Sequence, residues 1–151
     1  MDSPQLLLSN QICFPIYTVS RLITKAYKPH LDKLGLTYPQ YLVLMVLWEK
    51  DKLTVNQICE KLLLNSNTLS PLLKRMEKME LVRRNRSSAD ERSVIVQITE
   101  KGKHLKTLAM PIPENLIKTM LTENVGMENV IQLKNMLNEW ILILSSSDKN
   151  D

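Results

Sequence analysis

The sequence predicts a mainly α-helical protein that carries one small β-hairpin. Apolar residues recur at helical spacing over most of the 151 residues, and one central segment alternates instead. Glycine and aromatic residues are scarce (3 Gly, 5% aromatic) while leucine and methionine are plentiful, a mixture that favours helix over strand. With 44% apolar and 24% charged residues, the chain suits one compact domain with a real core.

The elements follow in order. Leu8, Ile12, Ile16, Val19, Ile23 and Ala26 recur every three or four residues and predict a helix over 8–30. Pro15 either marks its first turn or kinks it. Gly35 ends the pattern. Thr37 and Gln40 form a capping-box pair, with Pro39 in the first turn, and open a buried helix running to about Lys50. Thr54 and Gln57 repeat the device and open the short helix "VNQICEKLLL", which carries Cys59. The "NSN" at 65–67 turns the chain, and Ser66 caps a helix with Leu69, Leu72, Leu73, Met76 and Met79 on one side. Read locally, Ser-Pro at 70–71 marks that helix's start. The turn residues and the apolar pattern agree on the earlier one.

Val94, Val96 and Ile98 then alternate with Ile95 and Gln97, and "LVRRNR" pairs with them across a polar loop from Ser87 to Arg92. Thr99 caps a further long helix. Leu116, Ile117, Met120 and Leu121 mark one C-terminal amphipathic helix, and Val130, Leu133, Leu137, Trp140, Ile141 and Leu144 another, broken near Gly126. The closing "SSSDKND" is expected to fray.

Charge and cysteine usage narrow the function. Ten Lys/Arg against five Asp/Glu fall between Asn65 and Lys106, a local positive field that attracts polyanions. Two cysteines, Cys13 and Cys59, make no disulfide framework. The N-terminus lacks a basic region followed by an apolar run, and the longest apolar run, "YLVLMVLW", is too short to span a bilayer. A cytoplasmic protein with reduced thiols and no membrane partner is expected. His30 and His104 have no partner at metal-ligand spacing, and no metal or cofactor is expected.

Two short helices joined by a tight turn, then a hairpin with a basic tip, make a winged helix-turn-helix, which implies double-stranded DNA as a partner. The second helix would present Ser66, Asn67, Thr68 and Ser70 to base edges in the major groove, with Lys74 and Arg75 neutralising phosphates. Arg86 belongs to the same basic wing. Arg92 would lie at the tip, near a minor groove.

The stretch "LTVNQICEKLLLNSNTLSPLLKRMEKMELVRRNRSSADERSVIVQITEKG" strongly resembles the DNA-binding lobe of the MarR family of bacterial repressors, and "DERSVIVQITEKG" looks like that family's wing signature. The match covers roughly residues 10–110. It implies one MarR-type domain over 1–151, with a DNA-binding lobe at about 38–100 and dimerisation helices at about 6–34 and 100–146. It also implies that Asp90 and Arg92 shape the wing, that the protein is an obligate homodimer, and that its operator is pseudo-palindromic.

Within the family, "NQICF…Y…AYKPHLDKLGLTYPQYLVLMVLWE" looks like the organic hydroperoxide resistance regulators. That resemblance implies a peroxide-reactive cysteine at Cys13, hydrogen-bonded by the partner subunit's counterparts of Tyr27 and Tyr38, with Tyr17 nearby. The chemistry suits the residue types. A thiolate attacks the O–O bond, and a phenol is a good donor to a thiolate. Apolar surroundings (Ile12, Phe14, Ile16) favour organic hydroperoxides. Oxidation would give a sulfenic acid, then a mixed disulfide with a low-molecular-weight thiol or a sulfenamide. Cys59 is expected to be an inert core thiol. No cysteine lies in the C-terminal helices, so the chain would be of the one-cysteine type. Two other readings compete: a MarR-type regulator released by a small aromatic ligand, with Cys13 incidental, and a thiol peroxidase. The peroxidase leaves the basic winged helix unexplained and has no resolving cysteine, so an enzyme is not expected.

Overall fold

The computed structural model describes residues 3–88, 90 and 92–147. Two 3₁₀ turns, Pro4–Leu6 and Leu8–Asn10, precede α1 (Cys13–Asp32) and α2 (Tyr38–Glu49). A two-residue strand β1 (Leu53–Thr54) leads into α3 (Val55–Leu62) and α4 (Ser66–Lys78). The strands β2 (Val82–Arg86) and β3 (Val94–Ile98) follow, then α5 (Glu100–Ala109), α6 (Pro111–Met120) and α7 (Met127–Ser147).

The first helix starts at Cys13, not at residue 8. Leu8 lies in the second 3₁₀ turn, and the Asn10 and Gln11 side chains donate to the carbonyls of Pro4 and Gln5. These bonds satisfy the segment without an α-helix. Pro15 is the third helical residue, where its missing N–H is one of the four a helix leaves unpaired anyway, so it marks the first turn. The helix ends at Asp32, and Gly35, with a φ of +67°, closes the turn after it while the Leu36 N–H donates to the Leu31 carbonyl at 2.9 Å.

The helix α2 is the centre of the core: Tyr41, Val43, Leu44, Val46 and Leu47 are buried around it. Buried Gln40 is satisfied at both ends. Its Oε1 accepts from the Thr37 N–H at 2.9 Å, and its Nε2 lies 3.5 Å from the Met79 sulfur. Thr54 and Gln57 complete their capping box, at 3.2 and 2.9 Å. In the next turn Leu63 takes a left-handed conformation, and Asn65, not Ser66, is the N-cap of α4. The Asn65 Oδ1 accepts from the Thr68 N–H at 2.9 Å, and asparagine caps at least as well as serine. Pro71 sits inside α4, as the earlier start requires, and Leu69, Leu72, Leu73 and Met76 face the core.

The hairpin is part of a three-stranded antiparallel sheet, ordered β1-β3-β2, because Leu53 and Thr54 pair with Val96 and Ile95. The β2–β3 register sets Val82 against Ile98, Arg84 against Val96 and Arg86 against Val94. Thr99 caps α5 through Gly102 (N···Oγ1 3.1 Å). That helix is ten residues rather than long, since Pro111 opens α6 after Met110 alone. Gly102 lets α5 approach closely: a Cβ there would lie 2.5 Å from the Leu81 carbonyl oxygen. The Gly102 carbonyl accepts from the Trp48 indole N–H at 3.0 Å, tying α2 to α5. Ser145–Ser147 continue α7 rather than fraying, and the rest of the expected tail, 148–151, lies outside the described residues.

The apolar faces expected for the terminal helices are present but uncovered. Ile12 at the N-cap of α1, Phe14, Val19 and Leu22 within it, and Trp140, Ile141 and Leu144 of α7 are exposed in the single chain. Apolar surface on this scale marks a protein–protein interface.

Candidate functional site

The basic lobe presents two elements side by side. At the N-terminal end of α4, Ser66, Asn67 and Thr68 are exposed and Ser70 is half-buried. The Thr68 hydroxyl already donates to Asn65 Oδ1 at 2.9 Å, so it belongs partly to the cap. Lys74 and Arg75 are exposed further along the same helix, opposite the core-facing leucines. Asn67, Ser70 and Lys74 recur at three- and four-residue spacing and share one face.

In the wing, Arg86 is the exposed last residue of β2. Asp90 organises the tip. Its Oδ1 accepts from the Arg92 backbone N–H at 3.0 Å, and its Oδ2 accepts from the Ser93 hydroxyl at 2.9 Å. The Ser93 N–H donates in turn to the Asp90 carbonyl at 2.9 Å. The carboxylate thus acts on the backbone of Arg92, and the Arg92 side chain is exposed.

Sequence reasoning missed one polar contact here. Glu77 of α4 and Arg84 of β2 form an ion pair: Oε2 lies 2.6 Å from Nη2 and 3.0 Å from Nε. The Arg84 backbone N–H also donates to Glu77 Oε1 at 3.2 Å. These bonds hold the Glu77 carboxyl below its usual range, the Arg84 side-chain bond being the main cause. The available signal was the strand alternation that puts Arg84 on the same face as buried Val82.

The second candidate site is split within one chain. Cys13 is exposed at the first position of α1, with exposed Ile12, Phe14 and Ile16 around it. Tyr17 follows one turn later and stacks under the Arg21 guanidinium, 4.9 Å from its ring centre. Tyr27 and Tyr38 come together elsewhere, with ring centroids 5.1 Å apart. Tyr41, which sequence reasoning left unassigned, packs against both at 5.8 and 6.3 Å. Tyr27 lies fourteen residues after Cys13 along α1, a rise of roughly 21 Å. A thiol and phenols of the same chain therefore do not meet.

Burial raises the phenols of Tyr27 and Tyr38 above their ordinary value, and Tyr38 adds to the effect on Tyr27. Burial, with Tyr27 and Tyr38 beside it, pushes Tyr41 up to about 12. All three keep their protons at neutral pH and remain donors. Cys59 contrasts with Cys13. It packs half-buried against the core, and desolvation, then the Glu60 carboxylate, raises its thiol. It is a poor source of thiolate. Among the described residues no cluster of His, Cys, Asp or Glu could hold a metal, and no helix is long and apolar enough to cross a membrane.

Known proteins align with both halves. Residues 25–108 match the family described as transcriptional regulator SarA/Rot. The organic hydroperoxide resistance transcriptional regulator of Bacillus subtilis is 51% identical over 143 residues, covering 95% of this chain and 94% of that protein. The DNA-bound structure of reduced AbfR, a protein of Staphylococcus epidermidis, superposes with a TM-score of 0.79 at 36% identity, covering 97% and 98% of the two chains. Overoxidized AbfR bound to DNA superposes with a TM-score of 0.68 at 40% identity, covering 89% and 99%.

Proposed function

The chain belongs to the MarR class of winged-helix transcriptional regulators, in its organic hydroperoxide resistance branch, and from that premise we propose that it is a homodimeric repressor whose Cys13 senses organic hydroperoxides and whose oxidation releases operator DNA. It is a DNA-binding regulator, not an enzyme. Residues 38–100 form the lobe that reads a pseudo-palindromic operator, with Ser66, Asn67 and Ser70 at base edges, Lys74, Arg75 and Arg86 on phosphates, and Arg92 in the minor groove. Residues 6–34 and 100–146 hold the two chains together. We assign the regulator to the cytoplasm, beside DNA and a reducing thiol pool.

The observation that carries the sensing half is the separation of an exposed thiol from a cluster of protonated phenols along α1. The apolar faces of α1 and α7 are uncovered in the single chain. When a second chain covers them, Cys13 of one protomer can meet Tyr27 and Tyr38 of its partner. The phenols would then donate to the thiolate and favour it over the thiol. The Cys13 thiolate attacks the O–O bond of the hydroperoxide. Sulfur gains the terminal OH as a sulfenic acid, and the alkoxide leaves and takes a proton from water to become an alcohol. A small thiol then condenses with the sulfenic acid to give a mixed disulfide and water. Overoxidized AbfR is found on DNA, so loss of the thiolate is not by itself the releasing event here. The added bulk at a packed subunit contact is what shifts the dimer.

A mixed dimer tests the arrangement between chains. One protomer carries Cys13→Ser and the other carries Tyr27→Phe with Tyr38→Phe, separately tagged and co-purified. If thiol and phenols meet between protomers, one complete site survives, and the remaining Cys13 reacts with cumene hydroperoxide at the wild-type rate. Reaction at the slow rate of a Tyr27→Phe/Tyr38→Phe homodimer contradicts the arrangement.

A further inference from the structure

We propose that Glu77 is a positioning residue for operator recognition: by clamping Arg84 it fixes the wing against the recognition helix, and so sets the preference for the operator over other DNA. The inference rests on the reading of α4 and the β2–β3 hairpin as the two DNA-contacting elements.

With the sheet ordered β1-β3-β2, β2 is an edge strand, and the outward N–H groups of an edge strand have no ladder partner. The Arg84 N–H is one of these, and Glu77 Oε1 takes it at 3.2 Å. Glu77 Oε2 takes the guanidinium of the same residue through two nitrogens, at 2.6 and 3.0 Å. One carboxylate therefore holds both the backbone and the side chain of β2. Among the described residues this is the ion pair that joins α4 to the sheet. A double-nitrogen arginine contact with an added backbone bond constrains direction as well as distance. The two side chains are 38% and 24% exposed, so the pair contributes little to overall stability. Its consequence is geometric. The base-facing end of α4 and the tip bearing Arg92 must enter two grooves of one duplex together, and their relative placement passes through this contact.

The chemistry gives the test opposite signs. Glu77 is a negative charge within a basic lobe. If it only offsets charge, its removal tightens binding to every duplex, because one fewer anion faces the phosphates. If it positions the wing, Glu77→Gln weakens binding to the operator and spares binding to unrelated DNA. The probe is a duplex selected by the wild-type dimer from a random library, compared with a scrambled duplex of the same length, by fluorescence anisotropy at several salt concentrations. Glu77→Gln should weaken operator binding by roughly two- to thirtyfold, the range spanned by one such pair in each protomer. Binding to the scrambled duplex should be unchanged or tighter. Arg84→Lys, which keeps the charge and loses the fork, should behave alike. The exchanged pair Glu77→Arg with Arg84→Glu should recover part of the preference.

Operator and scrambled affinities that move together in Glu77→Gln and Arg84→Lys overturn the proposal. An Arg92→Ala arm separates the levels of failure. Loss of operator binding in Arg92→Ala with no loss of preference in Glu77→Gln overturns this inference alone, whereas an unchanged Arg92→Ala dimer overturns the reading of the wing beneath it.

Discussion

The Cys13→Ser dimer is expected to bind operator as tightly as the wild type and to keep it through an excess of cumene hydroperoxide, while the wild type lets go. Coupling between a modified site and a distant ligand site is typically about 1–3 kcal/mol, or roughly five- to 150-fold in affinity. The wild-type dimer should weaken by that factor on oxidation in the presence of a small thiol. The serine dimer should show none of it. The expectation follows from placement. Cys13 is exposed on α1 outside the DNA-reading lobe, so an oxygen in place of sulfur disturbs no contact in α4 or the wing. Serine has no thiolate, and its hydroxyl does not open a peroxide bond at neutral pH. Cys59 cannot substitute, because burial and Glu60 hold its thiol protonated. Anisotropy titrations before and after oxidation check this directly, and oxidative release of the serine dimer would assign the sensor elsewhere.

Arg92→Ala is expected to give the other large effect. Loss of one specific arginine contact typically costs about 1–3 kcal/mol. The homodimer loses it twice, so binding should weaken by at least roughly thirtyfold. Each phosphate-linked charge contributes about 0.9 to the slope of log K against log salt, and the variant's slope should be shallower by up to about two. Fold stability should change little, since the side chain is exposed and the tip is organised by Asp90 through the Arg92 backbone N–H. That bond survives in alanine. Asp90→Ala removes the backbone organisation and leaves the guanidinium, so it separates the geometry of the tip from its charge.

Most of the architecture could be read from the chain because the deciding features are local. Thr54 with Gln57 marks a helix start within four residues, and the alternation of Val94, Val96 and Ile98 fixes which face of a strand is buried. Errors arose where two local solutions compete closely. Asn65 and Ser66 both cap well, and Asn65 wins by accepting from Thr68. Leu8 fits the helical period of α1, yet the Asn10 and Gln11 side chains satisfy that segment as 3₁₀ turns. A two-residue strand such as β1 has no period to detect, and only its pairing with β3 defines it.

The candidate site was legible to differing depths. Asp90 and Arg92 are two residues apart, and their contact is local. Strand alternation places Arg84 on the face of buried Val82, but its pairing with Glu77 arises because an edge strand passes α4, and no periodicity names that partner. Tyr41 joins Tyr27 and Tyr38 through helix packing, and nothing in its spacing distinguishes it from a core aromatic. The distance between Cys13 and the phenols, set by the length of α1, is a property of the single chain, and the proposed contact belongs to the dimer.

On the proposed mechanism, modification of Cys13, and of no other group, sets DNA occupancy. This is tested most directly by titrating cumene hydroperoxide, with a fixed small thiol, into the wild-type dimer bound to labelled operator. From each aliquot one reads the fraction of operator still bound and the fraction of the Cys13 peptide carrying a mixed disulfide. The two curves should mirror one another, with the Cys59 peptide unmodified throughout. Operator release while Cys13 remains a free thiol, or full retention of operator with Cys13 fully converted, would contradict the account.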